Sequence, residues 1–272
     1  MDFTAVIIFI LVGVFAGTLA GLIGIGGGVI YVPVLIWYLE ANRLPGSLVP
    51  LVSVSTSLGV IVFSLLNGSY AHFRNRNFAG RAVLFLMFGG AVGALLMSFV
   101  LVRVHSGEFK LFLGLFQLAF GVRFLWPKKT HEVETERHST PILLILGLFA
   151  GGVSSFFGVG GGLIVVPILH LFLGFRLVRA IGTASGFMIF STSVSLISYL
   201  SQSRGIEFPS EGFFGSLYLP AFFAILPSAF IFSRVGANLA HRLDGKKFSL
   251  FFGVLIIGIA LRNIVLGVQG LF

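Results

Sequence analysis

The sequence predicts an all-α polytopic membrane protein made of two inverted four-segment repeats, each opening with a helix broken at a glycine cluster. Three observations predict it: an apolar composition, a motif that occurs twice, and an uneven distribution of loop charge. Of the 272 residues, 57% are hydrophobic and 10% charged, with a mean hydropathy of +1.05. Soluble domains run at roughly 45–50% and about 25%. A quarter of the chain is phenylalanine or glycine, 32 and 36 residues respectively. A soluble fold has too little interior to hide so much apolar surface. Soluble enzyme, nucleic-acid binder and disordered scaffold are thereby excluded. The net charge of +9 does not reverse this, because the basic residues cluster between apolar runs, where they set topology and meet anionic lipid. No cysteine is present, so disulfides, thiolate metal sites and thiol-based substrate relay are excluded as well.

Runs of about 20 apolar residues are long enough to cross a bilayer. In chain order they are Phe3–Leu39 (interrupted), Ser47–Asn67, Ala82–Val102, Phe109–Trp126, Pro141–Leu173 (interrupted), Leu177–Leu200, Phe213–Ser233 and Phe248–Leu266. Met1-Asp2-Phe3 carries no Lys or Arg, which argues against a cleaved signal peptide. The one strongly polar stretch, Pro127–Thr140, lies near the midpoint and reads as a solvated linker. The expected organisation is a first transmembrane repeat over 1–127, a polar cytoplasmic linker over 128–140, and a second repeat over 141–272.

Gly24-Ile-Gly-Gly-Gly-Val-Ile-Tyr-Val-Pro33 reappears as Gly158-Val-Gly-Gly-Gly-Leu-Ile-Val-Val-Pro167, at a constant offset of 134. A looser echo joins Ser55-Thr56-Ser57 to Gly182-Thr183-Ala184-Ser185, and another joins Gly93-Ala94 to Gly236-Ala237. The same spaced cluster opening both halves is a strong repeat signal. Loop charge then tests the relation of the halves. If each interrupted segment crosses once, the 18 Lys and Arg divide 9 to 9 and topology has no preference. If each enters and returns on one side, five residues (Arg43, Arg103, Lys110, Arg204, Arg262) face the other 13. That imbalance is what the positive-inside rule expects. Inverted halves follow, with both termini outside and the linker inside.

Four glycines within five residues destabilise a helix at about 1 kcal/mol each. The first segment should therefore unwind near Gly24 and resume at Val29. The resumed piece of about 11 residues spans roughly 16 Å, half a bilayer. Its N-terminal amides must then bind something or line a polar cavity. A helix N-terminus carries about half a positive charge, and glycine lets an anion approach the backbone. Gly160-Gly161-Gly162 repeats the device, and inversion would aim the two positive ends at each other across the midplane. Tight helix crossing is the competing use of such glycines. Pro33 and Pro167 shape kinks in the short helices.

The side chains agree on sign. All nine acidic residues lie at segment ends or in loops, whereas cation carriers and carboxylate proton relays need one inside a span. Hydroxyls are plentiful: Ser53, Ser55, Thr56, Ser57 and Ser64 in the second span, and Thr183, Ser185, Ser191, Thr192, Ser193 and Ser195 in the sixth. Most such hydroxyls bond within or between helices. The expected anion site comprises Gly26, Gly27, Gly28, Gly160, Gly161 and Gly162, assisted by Thr56, Ser57, Thr183 and Ser185. His170, where the first half has Ile36, reads as a packed histidine. His72, Arg74, Gln202 and Arg204 read as interface anchors. Asn67, Gln117, Asn238 and Asn263 are intramembrane amides able to bond across helices. No catalytic constellation, cofactor motif or metal-ligand spacing is present in the sequence.

Paired Gly-x-Gly-Gly-Gly-x-x-x-x-Pro segments opening two four-segment halves resemble the sulfite exporter TauE/SafE family of membrane permeases. Arg179-Ala-Ile-Gly-Thr-Ala-Ser185 and Gly236-Ala-Asn-Leu-Ala-His-Arg-Leu243 add to the resemblance, which runs from about residue 4 to 268. It implies export of a small sulfur-containing anion (sulfite, a sulfonate or sulfoacetate) driven by the proton gradient. It also implies a multi-pass protein of the inner (plasma) membrane, with the anion and the bilayer as partners, no nucleic acid, and a homodimer as a possible assembly. An anion-binding sensor or interaction protein without transport is the alternative that the residues leave open.

Overall fold

The computed structural model describes residues 2–24, 26–74, 78–125, 139–209, 211–239 and 245–270. Residues 128–138 of the expected linker lie outside the described residues, as do the side chains of Asn67, His72, Arg74 and Asn238. The first half folds as α1 (Phe3–Ile23), α2 (Gly28–Ala41), α3 (Val49–Arg74), α4 (Gly80–Leu101) and α5 (Ser106–Leu125). The second folds as α6 (Thr140–Phe157), α7 (Gly162–Leu171), α8 (Leu177–Gln202), a two-stranded hairpin, α9 (Leu219–Leu239) and α10 (Gly245–Gln269). Seven described helices are long and apolar enough to cross a membrane: α1, α3, α4, α6, α8, α9 and α10. The fourth expected span, α5, is not among them. It carries Glu108, Lys110 and Arg123 toward its ends, with an uncharged stretch between.

One expected span begins too early. Phe213–Tyr218 is a hairpin of β1 (Phe213–Phe214) on β2 (Leu217–Tyr218), and the helix starts at Leu219. Gly215-Ser216 makes the two-residue turn, with Gly215 at φ +54°. The Ser203 hydroxyl accepts the Ser216 amide at 3.0 Å, and the Gly212 carbonyl accepts the Leu219 amide at 2.9 Å. Apolarity alone could not distinguish this aromatic hairpin from the first turn and a half of a helix.

Helices from opposite halves pack along glycine tracks. Gly13 and Gly17 of α1 lie against Ile225 and Ala229 of α9, and Gly236 of α9 lies against Thr18. Gly89 and Gly93 of α4 face the carbonyls of Leu144 and Leu148 in α6, and Gly147 and Gly151 face those of Leu86 and Gly90. Both of these pairs run parallel. In α5, Gly107, Gly114 and Gly121 are seven residues apart and meet Gly270, Ala260 and Gly253 of α10, so this pair runs antiparallel. Small residues let backbones touch, which is how membrane helices associate when lipid removes the hydrophobic driving force. The outer faces carry the exposed apolar side chains, among them Phe88, Phe149 and Phe223. The long helix α3 is central, with 78% of its apolar span buried against 33% for α1 and for α9.

At each glycine cluster the helix stops and restarts. Between α1 and α2 the chain doubles back, bringing Phe9 and Tyr38 ring to ring at 4.9 Å. The end of α2 is pinned beside the start of α5: Lys110 pairs with Glu40 at 2.9 Å, and Ser106 donates to the same carboxylate. Tertiary order here follows from two turns in the glycine clusters, so their geometry positions everything else.

Candidate anion site at the broken helices

The two breaks are conformational duplicates. Gly24, Gly26 and Gly27 have φ of +74°, +88° and +73°; Gly158, Gly160 and Gly161 have +67°, +86° and +81°. These are left-handed values that cost an L-residue about 1–2 kcal/mol each. Gly24 caps α1 with its amide on Ala20 O at 2.8 Å, and Gly158 caps α6 with its amide on Ser154 O at 2.9 Å. Gly27 and Gly161 are the N-caps of α2 and α7. The clusters therefore close one helix and open the next within four residues.

Gly28 and Gly162 are glycine for a different reason. Both are helical, and a Cβ on Gly28 would stand 2.0 Å from the Gly158 carbonyl oxygen. One on Gly162 would stand 2.5 Å from the Gly24 carbonyl oxygen. The halves thus cross through each other's breaks. Each positive helix end lies against the closing carbonyl of the other half, so four helix ends meet in one place. Ile61 of α3 and Met188 of α8, near the middle of their 26-residue helices, flank Gly160 from either side.

The amides at this crossing are partly spoken for. Ile30 and Tyr31 N–H donate to Gly27 O at 3.0 and 3.2 Å, and Ile164 and Val165 N–H donate to Gly161 O at 3.1 Å each. The first two amides of each short helix, Gly28 and Val29 in α2 and Gly162 and Leu163 in α7, have no backbone acceptor among the described residues. Gly26, Gly27, Gly28, Gly160, Gly161 and Gly162 are all buried.

The four hydroxyls expected to assist are buried as well, but each has a protein partner. Ser57 Oγ donates to the Gly158 carbonyl at 2.8 Å, holding α3 to the second break. Ser185 Oγ donates to Ile181 O at 2.8 Å within its own helix. Thr56 Oγ1 accepts the Tyr218 amide at 3.0 Å, and Thr183 Oγ1 accepts the Ala79 amide at 3.2 Å. The threonines are reciprocal: each caps the helix that starts across the interface, Thr56 at α9 and Thr183 at α4. Their positions are offset by 127, as are those of Ile61 and Met188.

Two polar networks were not ranked by sequence reasoning. Asn263 of α10 donates to Gln117 of α5 at 2.8 Å, and Gln117 donates to the Val29 carbonyl in the first turn of α2, also at 2.8 Å. Ser98, Ser198 and Gln202 bond together between α4 and α8, while the Tyr199 hydroxyl donates to Ser155 O at 2.8 Å. Only the amides were signalled, as polar groups inside apolar runs. His170 is a packed side chain, with Nδ1 2.8 Å from Phe175 O just beyond the end of α7.

Spanning helices packed around two short ones, whose N-termini meet in a buried crossing, define a polytopic membrane transporter. The chain belongs to the sulfite exporter TauE/SafE family, which matches residues 9–263. This is a family of transporters and not of enzymes. A probable membrane transporter protein of Haemophilus influenzae is 29% identical over 96% of this chain and 100% of its own length. The probable membrane transporter protein YunE of Bacillus subtilis is 22% identical over 96% of this chain and 98% of its own. A sulfite exporter TauE/SafE family protein of Arabidopsis thaliana is 29% identical over 50% of this chain and 28% of its own. No solved structure matches the chain.

Proposed function

We propose that the protein is a secondary transporter that exports a small sulfur-containing anion of the sulfonate, sulfoacetate or sulfite class. Export is coupled to the proton gradient, and the anion binds at the crossing of the two breaks. The observation that carries this reading is the meeting of Gly26–Gly28 with Gly160–Gly162, where N-terminal amides of two short helices converge. Anions bind such ends through amide N–H groups and the helix dipole. Ser57 reaches the second break through the Gly158 carbonyl, and Thr56, Thr183 and Ser185 complete the set of hydroxyls proposed to assist. Purified protein in proteoliposomes should move sulfite or an organosulfonate faster than sulfate or acetate, and an imposed pH gradient should accelerate it. Binding without flux for every anion would favour a sensor and overturn the transport reading.

In the same reading the halves, residues 1–127 and 141–272, are inverted repeats. Antiparallel packing of α5 on α10 supports it, because these helices hold equivalent places in the two halves. Single cysteines replacing Arg43 and Lys128 should react with an impermeant maleimide from opposite sides of the membrane, Arg43 from outside. Labelling of both in intact cells would remove the inversion.

A further inference from the structure

The crossing holds hydroxyls that the repeat does not explain. Tyr31, 1% exposed, lies on the first turn of α2 with its ring folded back over the N-cap. A Cβ on Gly27 would be 2.9 Å from the Tyr31 hydroxyl oxygen, yet that hydroxyl bonds to nothing among the described residues. On the other side, Ser154 of α6 is fully buried and its Oγ has no hydrogen-bond partner. Its Cβ would be 3.3 Å from a Cβ on Gly161, the N-cap of α7. Ser154 Oγ is one of five buried serine hydroxyls without a partner among the described residues, with Ser53, Ser55, Ser191 and Ser216, and it is the one beside an N-cap glycine; the Tyr31 hydroxyl lies beside the other N-cap glycine. An orphaned buried hydroxyl costs about 1–3 kcal/mol, and the great majority of such groups are satisfied.

Repetition does not account for the pair. At the offset of 134, Val165 stands where Tyr31 does, and Ala20 stands where Ser154 does. The two hydroxyls come from different helices, α2 and α6, and each lies beside an N-cap glycine. By contrast, Ser57 and Ser185 have given their protons to carbonyls, and Thr56 and Thr183 hold helix caps.

We infer that Tyr31 and Ser154 are the hydroxyl ligands of the transported anion, one donating from each side of the crossing beside the first amides of α2 and α7. This inference rests on the anion-site reading above and adds the side chains that read the anion. Two O–H donors of unequal reach, a phenol and a serine, suit a small anion able to accept from two directions, as a sulfite or sulfonate headgroup can. A halide can accept from both as well, so chloride is the control anion in the test.

The test uses the full-length protein, with sulfite, methanesulfonate and chloride as probes. Tyr31→Phe and Ser154→Ala remove a hydroxyl and leave the backbone and the apolar contacts in place. Without anion, each variant should melt at the wild-type temperature or above it, because an unpaired buried hydroxyl has gone. With sulfite or methanesulfonate, the ligand-induced rise in melting temperature should shrink. The KM for flux should increase about tenfold or more per hydroxyl, as for loss of a hydrogen bond to a charged group. Ser154→Thr restores the hydroxyl and should recover the KM. Wild-type flux with unchanged KM in both variants would overturn the inference while leaving the transport reading intact. A lower melting temperature without anion, with unchanged KM, would make the hydroxyls structural. If the wild-type protein neither binds nor carries any probe, the site reading fails and this inference fails with it.

Discussion

Replacing Gly28 by alanine should abolish most of the folded protein, a larger effect than the same change at any neighbouring glycine. The added Cβ would stand 2.0 Å from the Gly158 carbonyl oxygen and 2.8 Å from Val159 Cα, both backbone atoms that no rotamer change can move. The halves would have to separate at their crossing. Overpacking a core costs about 1–3 kcal/mol, occasionally more, and this contact is at the severe end. Gly162 should tolerate alanine better. Its second-nearest neighbour is the Met188 sulfur at 2.6 Å, which can swing away, although the Gly24 carbonyl at 2.5 Å cannot. Gly27 and Gly161 differ again: alanine there keeps the crossing but adopts φ of +73° and +81°, costing about 1–2 kcal/mol. Its Cβ would also meet the Tyr31 or Phe187 ring at 2.9 Å. Thermal melting of detergent-purified variants should rank Gly28→Ala as least stable, with Gly27→Ala and Gly161→Ala folded but less stable than wild type. Equal stability of Gly28→Ala and wild type would mean that the crossing is looser than described. Valine at Gly27 or Gly161 adds β-branching to the left-handed strain, so flux through such variants is informative only beside a melting curve.

The glycine duplication shows how far sequence could reach. Four glycines in five residues predicted the breaks, and the φ values show why these positions are glycine: six need left-handed backbone and two need close approach. Span positions were legible because a bilayer demands long apolar runs, and the expected bounds of six of the eight segments fall within about three residues of the helices. The second ends at Asn67 where the helix runs on to Arg74, because polar residues follow; the seventh starts too early because Phe213–Tyr218 is mostly apolar and the turn at Gly215-Ser216 lies inside the run. Partners of the hydroxyls were not legible. Thr56 bonds a residue 162 positions away and Thr183 one 104 away, contacts that exist only once the halves have docked. Tyr31 and Ser154 carry no repeat signal, because Val165 and Ala20 stand at the matching positions of the other half.

Thr56→Val and Thr183→Val should each destabilise the protein while leaving the KM for the anion unchanged. Valine matches threonine in shape, so the lost group is the oxygen that accepts the Tyr218 or the Ala79 amide. Each amide lies at the N-terminus of a spanning helix, Ala79 being the N-cap of α4 and Tyr218 the residue before α9. The first amides of a helix lack partners within it, and one left bare in a buried position costs about 1–3 kcal/mol. The two caps share no partner, so the double variant should lose the sum of the single losses to within about 0.5 kcal/mol. Threonine-to-serine replacements keep the oxygen and should recover most of the stability. Melting temperature and KM separate the roles: a cap lowers the first alone, and a ligand raises the second. A raised KM at wild-type stability in either valine variant would return these threonines to the anion site. Two lowered melting temperatures with unchanged KM would leave the work of reading the anion to the glycine amides, Tyr31 and Ser154.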